Sequence, residues 1–220
     1  MFGDPGVAYS CRVPSDAALM RFVQAIARGD HARVSGLLAG APGLALAQLE
    51  VGASRRCAEE YFLDEIDHHL YAGDTALHVA AAAYQAGVTR ELVNLGASVA
   101  AANRRGAQPL HYAVDGLPGS ARWNPVAQKD TVLSLLDLGA NPNAVDKNGT
   151  LPLHRAVRNR CAAAVSALLE AGADPDAPNG SGSTAMQLAR STTGRGGSGS
   201  VAARAQQQEI LRLLEAAGGE

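Results

Sequence analysis

The chain has 220 residues, 47% apolar and 4% aromatic, and its 19 basic and 21 acidic residues leave a net charge of −2. A chain of this size can form one large domain or an array of small units, and only an internal period separates the two. The near-neutral balance gives no general attraction to nucleic acid or to an anionic membrane, so any electrostatic function must be local. Cys11, Cys57 and Cys161 are far apart and lack C-x-x-C spacing, which suggests neither a disulfide framework nor a zinc site; they read as reduced thiols of a cytoplasmic protein. There is no basic stretch followed by an apolar leader and no run of membrane-spanning length, so neither secretion nor membrane insertion is expected.

Residues 1–14 contain no periodic run and are expected to form a loose tail. From 15 to 41, the run Ala17 to His31 followed by Val34, Leu37 and Leu38 has a two-helix rhythm and reads as an amino-terminal cap. Residues 42–72 follow as an insertion, with a helix expected from Cys57 to Leu70. Phe62, Leu63, Ile66 and Leu70 mark one side of that helix, and Glu59, Glu60, Asp64 and Asp67 line the other. Asp64 with His68 and Glu65 with His69 are four apart, close enough to share a metal. Neither pair repeats the two-histidine helical spacing of a zinc protease, so a solvated face is the preferred reading.

Four related segments then occur, Gly73 to Ala80, Gly106 to Ala113, Gly149 to Ala156 and Gly182 to Ala189, with leading glycines spaced by 33, 43 and 33 residues. Thr75 can cap the helix that follows it, and Leu77 and Ala80, three apart, share its buried face. A second helix in each unit ends at a glycine, as in Leu92-Val93-Asn94-Leu95-Gly96, Leu135-Leu136-Asp137-Leu138-Gly139 and Leu168-Leu169-Glu170-Ala171-Gly172. Segments such as Ala140 to Gly149, dense in turn formers, separate one unit from the next. The helix from Val201 to Ala217, with Ile210, Leu211, Leu213 and Leu214 inward, closes the series.

The period and the Thr-x-Leu-His-x-Ala pattern resemble the ankyrin-repeat family over about residues 15–220. The resemblance implies an all-α solenoid of helix-turn-helix units with short hairpin fingers and about five repeats. Their bounds are a cap at 15–41, repeats at 73–105, 106–148 and 149–181, and a carboxy-terminal repeat at 182–220. It also implies that His78, His111 and His154 bond the capping residue and nearby finger backbone, so a structural role is preferred to a metal or catalytic set. Gln108 and Leu151 stand where threonine is usual and Gln187 replaces the histidine, which weakens the capping pattern.

Two further insertions separate paired helices: Asp115 to Pro125 in repeat three, with Asn124-Pro125 starting the next helix, and Thr192 to Ser200 in repeat five. Because the turn Arg158 to Cys161 of repeat four is short, the two loops could wall a notch in which Arg122 and Trp123 face Arg195 above Arg158 and Arg160. That notch would suit an anionic peptide or small ligand; a flexible 194–200 linker, with Trp123 packed on its own loop, is the plainer reading.

Family resemblance makes the main expectation a non-enzymatic module that binds an unidentified protein partner through its concave finger and first-helix surface. The residues expected at or beside finger tips are Asp74, Arg104, Arg105, Lys147, Asn148, Asn179 and Ser181, with Arg155 pointing inward. No catalytic residue, metal or cofactor is expected, since no nucleophile-base-orienter set can be read from the sequence. Acid-base chemistry, if any, would have to draw on Asp64, Asp67, His68, His69 or Tyr71. Neither nucleic acid nor membrane is an expected partner, and two capped ends argue for a monomer.

Overall fold

A computed structural model describes residues 16–55, 57–191 and 200–218. The tail, most of the 192–200 loop and Arg195 lie outside the described residues. Ten α-helices are present among them: α1 Asp16–Ala27, α2 His31–Gly40, α3 Ala76–Ala82, α4 Ala86–Asn94, α5 Pro109–Ala113, α6 Pro125–Asp137, α7 Pro152–Arg158, α8 Ala162–Glu170, α9 Ala185–Arg190 and α10 Val201–Ala216. The odd-numbered helices pack in sequence, α1 on α3, α3 on α5, α5 on α7 and α7 on α9. An outer row runs α4 on α6, α6 on α8 and α8 on α10. The result is an all-α solenoid.

Each short inner helix is bounded by the same bonds. His78 Nδ1 accepts from the Thr75 amide at 3.1 Å and lies 3.0 Å from Thr75 Oγ1, while His78 Nε2 reaches Ala107 O in the next finger at 3.1 Å. His111 repeats this with the Gln108 amide and Thr150 O, and His154 with the Leu151 amide and Ala177 O. Replacing threonine at 108 and 151 therefore leaves the histidine bracket intact, because the backbone amide and not the hydroxyl is its common partner. In the last repeat Gln187 Oε1 takes over the capping role, accepting from the Thr184 amide at 3.1 Å.

The fingers are built by Asn103, Asp146 and Asn179, each three residues before a repeat glycine. In each, one side-chain oxygen accepts two backbone amides: those of Arg105 and Ala107, Asn148 and Thr150, and Ser181 and Ser183. Successive fingers are then zipped by single amides, Arg104 N to Ala72 O at 2.8 Å, Lys147 N to Arg105 O at 2.9 Å and Gly180 N to Gly149 O at 3.1 Å. Gly149 has φ +70 and a Cβ there would lie 2.6 Å from Gly180 Cα, so only glycine allows that crossing.

The expected helix from Cys57 to Leu70 is absent. Its place is taken by a 3₁₀ turn, Glu59–Tyr61, and a two-stranded hairpin, β1 Phe62–Leu63 and β2 His68–His69, in which Phe62 opposes His69 and Leu63 opposes His68. The buried side chains Tyr61 and Leu63 flank the less buried Phe62, an alternation that suits a strand, and a short apolar run cannot separate the two periods. Two antiparallel segments form the stem of the insertion: Gly73 N bonds Leu49 O at 2.8 Å, Leu49 N bonds Asp74 O at 2.9 Å and Ala53 N bonds Leu70 O at 2.7 Å. The buried Asp16 of α1 accepts the Glu50 and Val51 amides at 3.0 and 3.2 Å, fastening this stem to the cap. Cys57 is disulfide-bonded whereas Cys161 is free and buried. The reading of three reduced thiols fails at Cys57, and with it the argument for a cytoplasmic location.

Burial lowers the pKa of His78, His111 and His154, that of His111 from 6.5 to about 4. A histidine held neutral in the folded state protonates more readily when unfolded, so its contribution is present above pH 6.5 and is lost as the pH falls toward 4. Urea denaturation should show stability dropping between pH 7 and pH 5, by about 2 kcal/mol from His111 alone. Equal or greater stability at pH 5 would contradict neutral, bracketing imidazoles.

Candidate functional site

On the inner-helix face the hairpin and the repeat-three loop enclose a cleft of about 930 Å³, within the usual range of roughly 300–1,000 Å³ for small-molecule sites. Its lining runs from finger residues Arg105, Asp146 and Asn148 to the inter-helix residues Ala83, Tyr84 and Leu117, with Glu65 to His69 on the hairpin side and Ser120, Arg122 and Trp123 on the loop side. Tyr112 and Arg155 contribute from α5 and α7. Both stand directly after a motif histidine, the position that turns from the helix-packing face toward the concave side.

The hairpin is seated mainly by apolar burial. Tyr61, Leu63 and Leu70 are all at or below 2% exposure, and each buried side chain of this size stabilises by roughly 1.5–3 kcal/mol. The Glu65–Arg28 ion pair, 2.8 Å long, joins the hairpin turn to the end of α1. Bonding to Arg28 holds the Glu65 carboxyl below the ordinary range. With Arg28 exposed, such a pair contributes at most about 1 kcal/mol, so it orients the turn more than it anchors it. His68 packs at a tilt on Tyr112 with ring centres 4.3 Å apart, and His69 packs against Phe62 at 4.7 Å. The two histidines thus face different neighbours, and burial lowers the His68 pKa. Among the described residues no three histidine, cysteine, aspartate or glutamate side chains converge as a metal site.

The opposite wall is held through Asp115. Its carboxylate accepts from Arg155 at 2.8 Å and Asn159 at 2.7 Å, tying the loop of repeat three to the inner helix of repeat four. Its carbonyl accepts from the Tyr84 hydroxyl and from Gln128 Nε2. Gln128 also accepts from Trp123 Nε1 at 3.0 Å, which fixes the indole against its own loop. Gly116 makes room for that ring, since a Cβ there would lie 2.8 Å from Trp123 Cδ1. Tyr84 adopts φ 55, an uncommon conformation for a bulky side chain, in placing its ring and hydroxyl at this junction.

The sequence-predicted residues divide sharply. Arg105, Asn148 and Arg155 line the cleft, as do Arg122, Trp123 and Arg158. Asp74 is not at an exposed tip: it is 1% exposed and accepts from Asn103 Nδ2, the Tyr112 hydroxyl and the Tyr71 amide at 2.7–2.8 Å. Its place just after the motif glycine puts it beneath the next finger. Asn179 is likewise turned inward by its two amide bonds, while Ser181 and Lys147 are exposed. Arg104 donates to Ala53 O and so braces the insertion stem. Arg160 is 3% exposed, has φ 60 and bonds Gln207 on α10, so it is no part of an open notch. Tyr112, Asp115, Tyr84 and Asn159 are cleft residues that the sequence reading did not single out. For Tyr112 a signal existed, a large side chain at the position that Val79 and Arg155 occupy in the flanking repeats.

Comparison with known families agrees with this architecture. One family model, described as an ankyrin repeat, matches residues 72–104, and another, described as ankyrin repeats in many copies, matches residues 135–189. The chain contains ankyrin repeats. No curated protein matches it. The stretch between the two matches contains the repeat-three loop that walls the cleft. Ankyrin repeats serve generally as protein–protein interaction modules. No helix among the described residues is long and apolar enough to cross a membrane.

Gly52 sits where a Cβ would come within 2.4 Å of Ala72 N and Tyr71 C. Gly52→Ala should therefore push the two sides of the insertion stem apart, lowering stability by about 1–3 kcal/mol. Faster amide hydrogen exchange should appear at residues 61–70 before it does in α7 and α8. Unchanged exchange across the hairpin would show that the stem does not seat it.

Proposed function

We propose that this chain is a non-enzymatic interaction module that receives an extended segment of a partner protein in the cleft on its concave face. The observation that carries this reading is the course of the cleft, which spans an inner helix from finger to inter-helix loop between two walls added to the repeat frame. Seven residues of α7 extend about 10 Å, matching roughly three residues of extended chain. Arg105, Asn148, Arg155, Arg122, Trp123 and Arg158 are the contact residues of this proposal.

Several features weigh against catalysis. Thr75 and His78 form a hydroxyl–imidazole pair, but both are buried in a helix cap. Cys161 lies beside Gly116 and Trp123, yet burial pushes its thiol up to about 12, far from a reactive thiolate at neutral pH. Of the two histidines that line the cleft, His69 packs against Phe62 and His68 against Tyr112, whose phenol is kept protonated by burial and by Asp74.

The test is a seven-residue peptide library displayed against the full chain. Peptides that bind should lose at least tenfold in affinity to Ala83→Trp, which fills the cleft from the end of α3, and nothing to Glu91→Lys on the outer helix α4. Peptides that bind all three proteins equally, or a library yielding no binders, would remove the cleft as the partner site.

A further inference from the structure

We infer that the segment taken into this cleft is acidic and that Arg105 and Arg158 grip it; the inference rests on the reading that the cleft receives a peptide. Formal charge along the lining is balanced, with Glu65, Asp67, Asp115 and Asp146 set against Arg105, Arg122, Arg155 and Arg158. The bonds break that balance. Glu65 is paired with Arg28, which lies outside the lining, so one cleft carboxylate is neutralised by a cation that is not itself in the cleft. Asp115 is paired with Arg155. Asp146 directs an oxygen at its own finger amides. Asp67 at the hairpin turn and Asp146, which keeps its charge while accepting those amides, then stand against three arginines that have no ion pair among the described residues, a surplus of one cation.

Two of these arginines stand at opposite ends of the cleft. Arg105 is on a finger and its guanidinium carbon lies 3.9 Å from the Tyr71 ring centre, so the ring supports one face of the planar group. A guanidinium held by its face keeps its N–H edge available and loses less freedom when it binds a carboxylate in a fork. Arg158 ends α7 on the inter-helix side and is exposed. A segment crossing the cleft therefore meets an unpaired cation at each end, and acidic side chains a few residues apart satisfy both. Trp123, the single tryptophan of the sequence, lines the same cleft and reports binding through its fluorescence.

Sequencing the peptides that bind wild type and fail on Ala83→Trp tests the inference. They should be enriched in aspartate and glutamate over lysine and arginine and should change Trp123 fluorescence on binding. Their affinity should fall tenfold or more in the doubly substituted Arg105→Gln, Arg158→Gln protein, and further in Arg105→Glu, Arg158→Glu, with melting temperatures confirming that both fold. Cleft-dependent peptides without an acidic excess, or indifferent to both double substitutions, would overturn the acidic segment while leaving the cleft as partner site. Peptides indifferent to Ala83→Trp would overturn both readings. Free glutarate or inorganic phosphate binding as tightly as the selected peptides would replace the peptide with a small anion and end the inference.

Discussion

Each motif histidine has to be neutral, because its Nδ1 accepts a backbone amide at the start of its own helix while its Nε2–H donates to a carbonyl in the next finger. The inner helices are only five to seven residues long in the repeats concerned, too short to persist without such ends. One buried side chain thus fixes a helix start and the distance to the neighbouring repeat together. Protonation removes the acceptor at Nδ1 and places a charge in the core, and the cost of that burial outweighs nearby carboxylates such as Asp74, 3.8 Å from His78 Nε2, which is why these groups are held down.

The walls of the cleft are additions that this frame can carry without disturbing it. A finger and a helix pair repeat at a fixed interval, so extra residues between the cap and repeat two, or between paired helices, leave the stack itself unchanged. What they build depends on their own cores. The 42–72 insertion buries Leu49, Tyr61, Leu63 and Leu70, and this burial outweighs the exposed Glu65–Arg28 pair by several kcal/mol. The repeat-three loop has less apolar surface and is held through polar groups instead, with Asp115 and Gln128 collecting bonds from three repeats. One wall is therefore a packed unit and the other a hydrogen-bonded one.

Net charge is a poor guide to this site. The whole chain carries −2, and the cleft lining is formally neutral, yet pairing across its edge leaves unpaired arginines facing inward. Whether a charge is available depends on which neighbour reaches it. Glu65 and Asp115 are acidic residues of the cleft in sequence but are engaged in space, while Arg105 is made rigid by Tyr71, a residue of the insertion.

The all-α repeat frame, its helix stops, the Asn124-Pro125 start of α6 and the structural role of the motif histidines were legible in the sequence, because each rests on contacts within a few residues or on a pattern repeated at a fixed period. The finger-building Asn103, Asp146 and Asn179 could have been found the same way, by their constant offset from the repeat glycines. The hairpin at 62–69 was not legible, since Phe62, Leu63, Ile66 and Leu70 fit a helical face and the choice fell to the stem that 48–53 forms with 70–75. Asp74 looked exposed for the same reason: its partners Asn103 and Tyr112 lie 29 and 38 residues away. Local spacing fixes a repeat, but burial and charge pairing depend on which distant segments meet, and only the tertiary fold decided those.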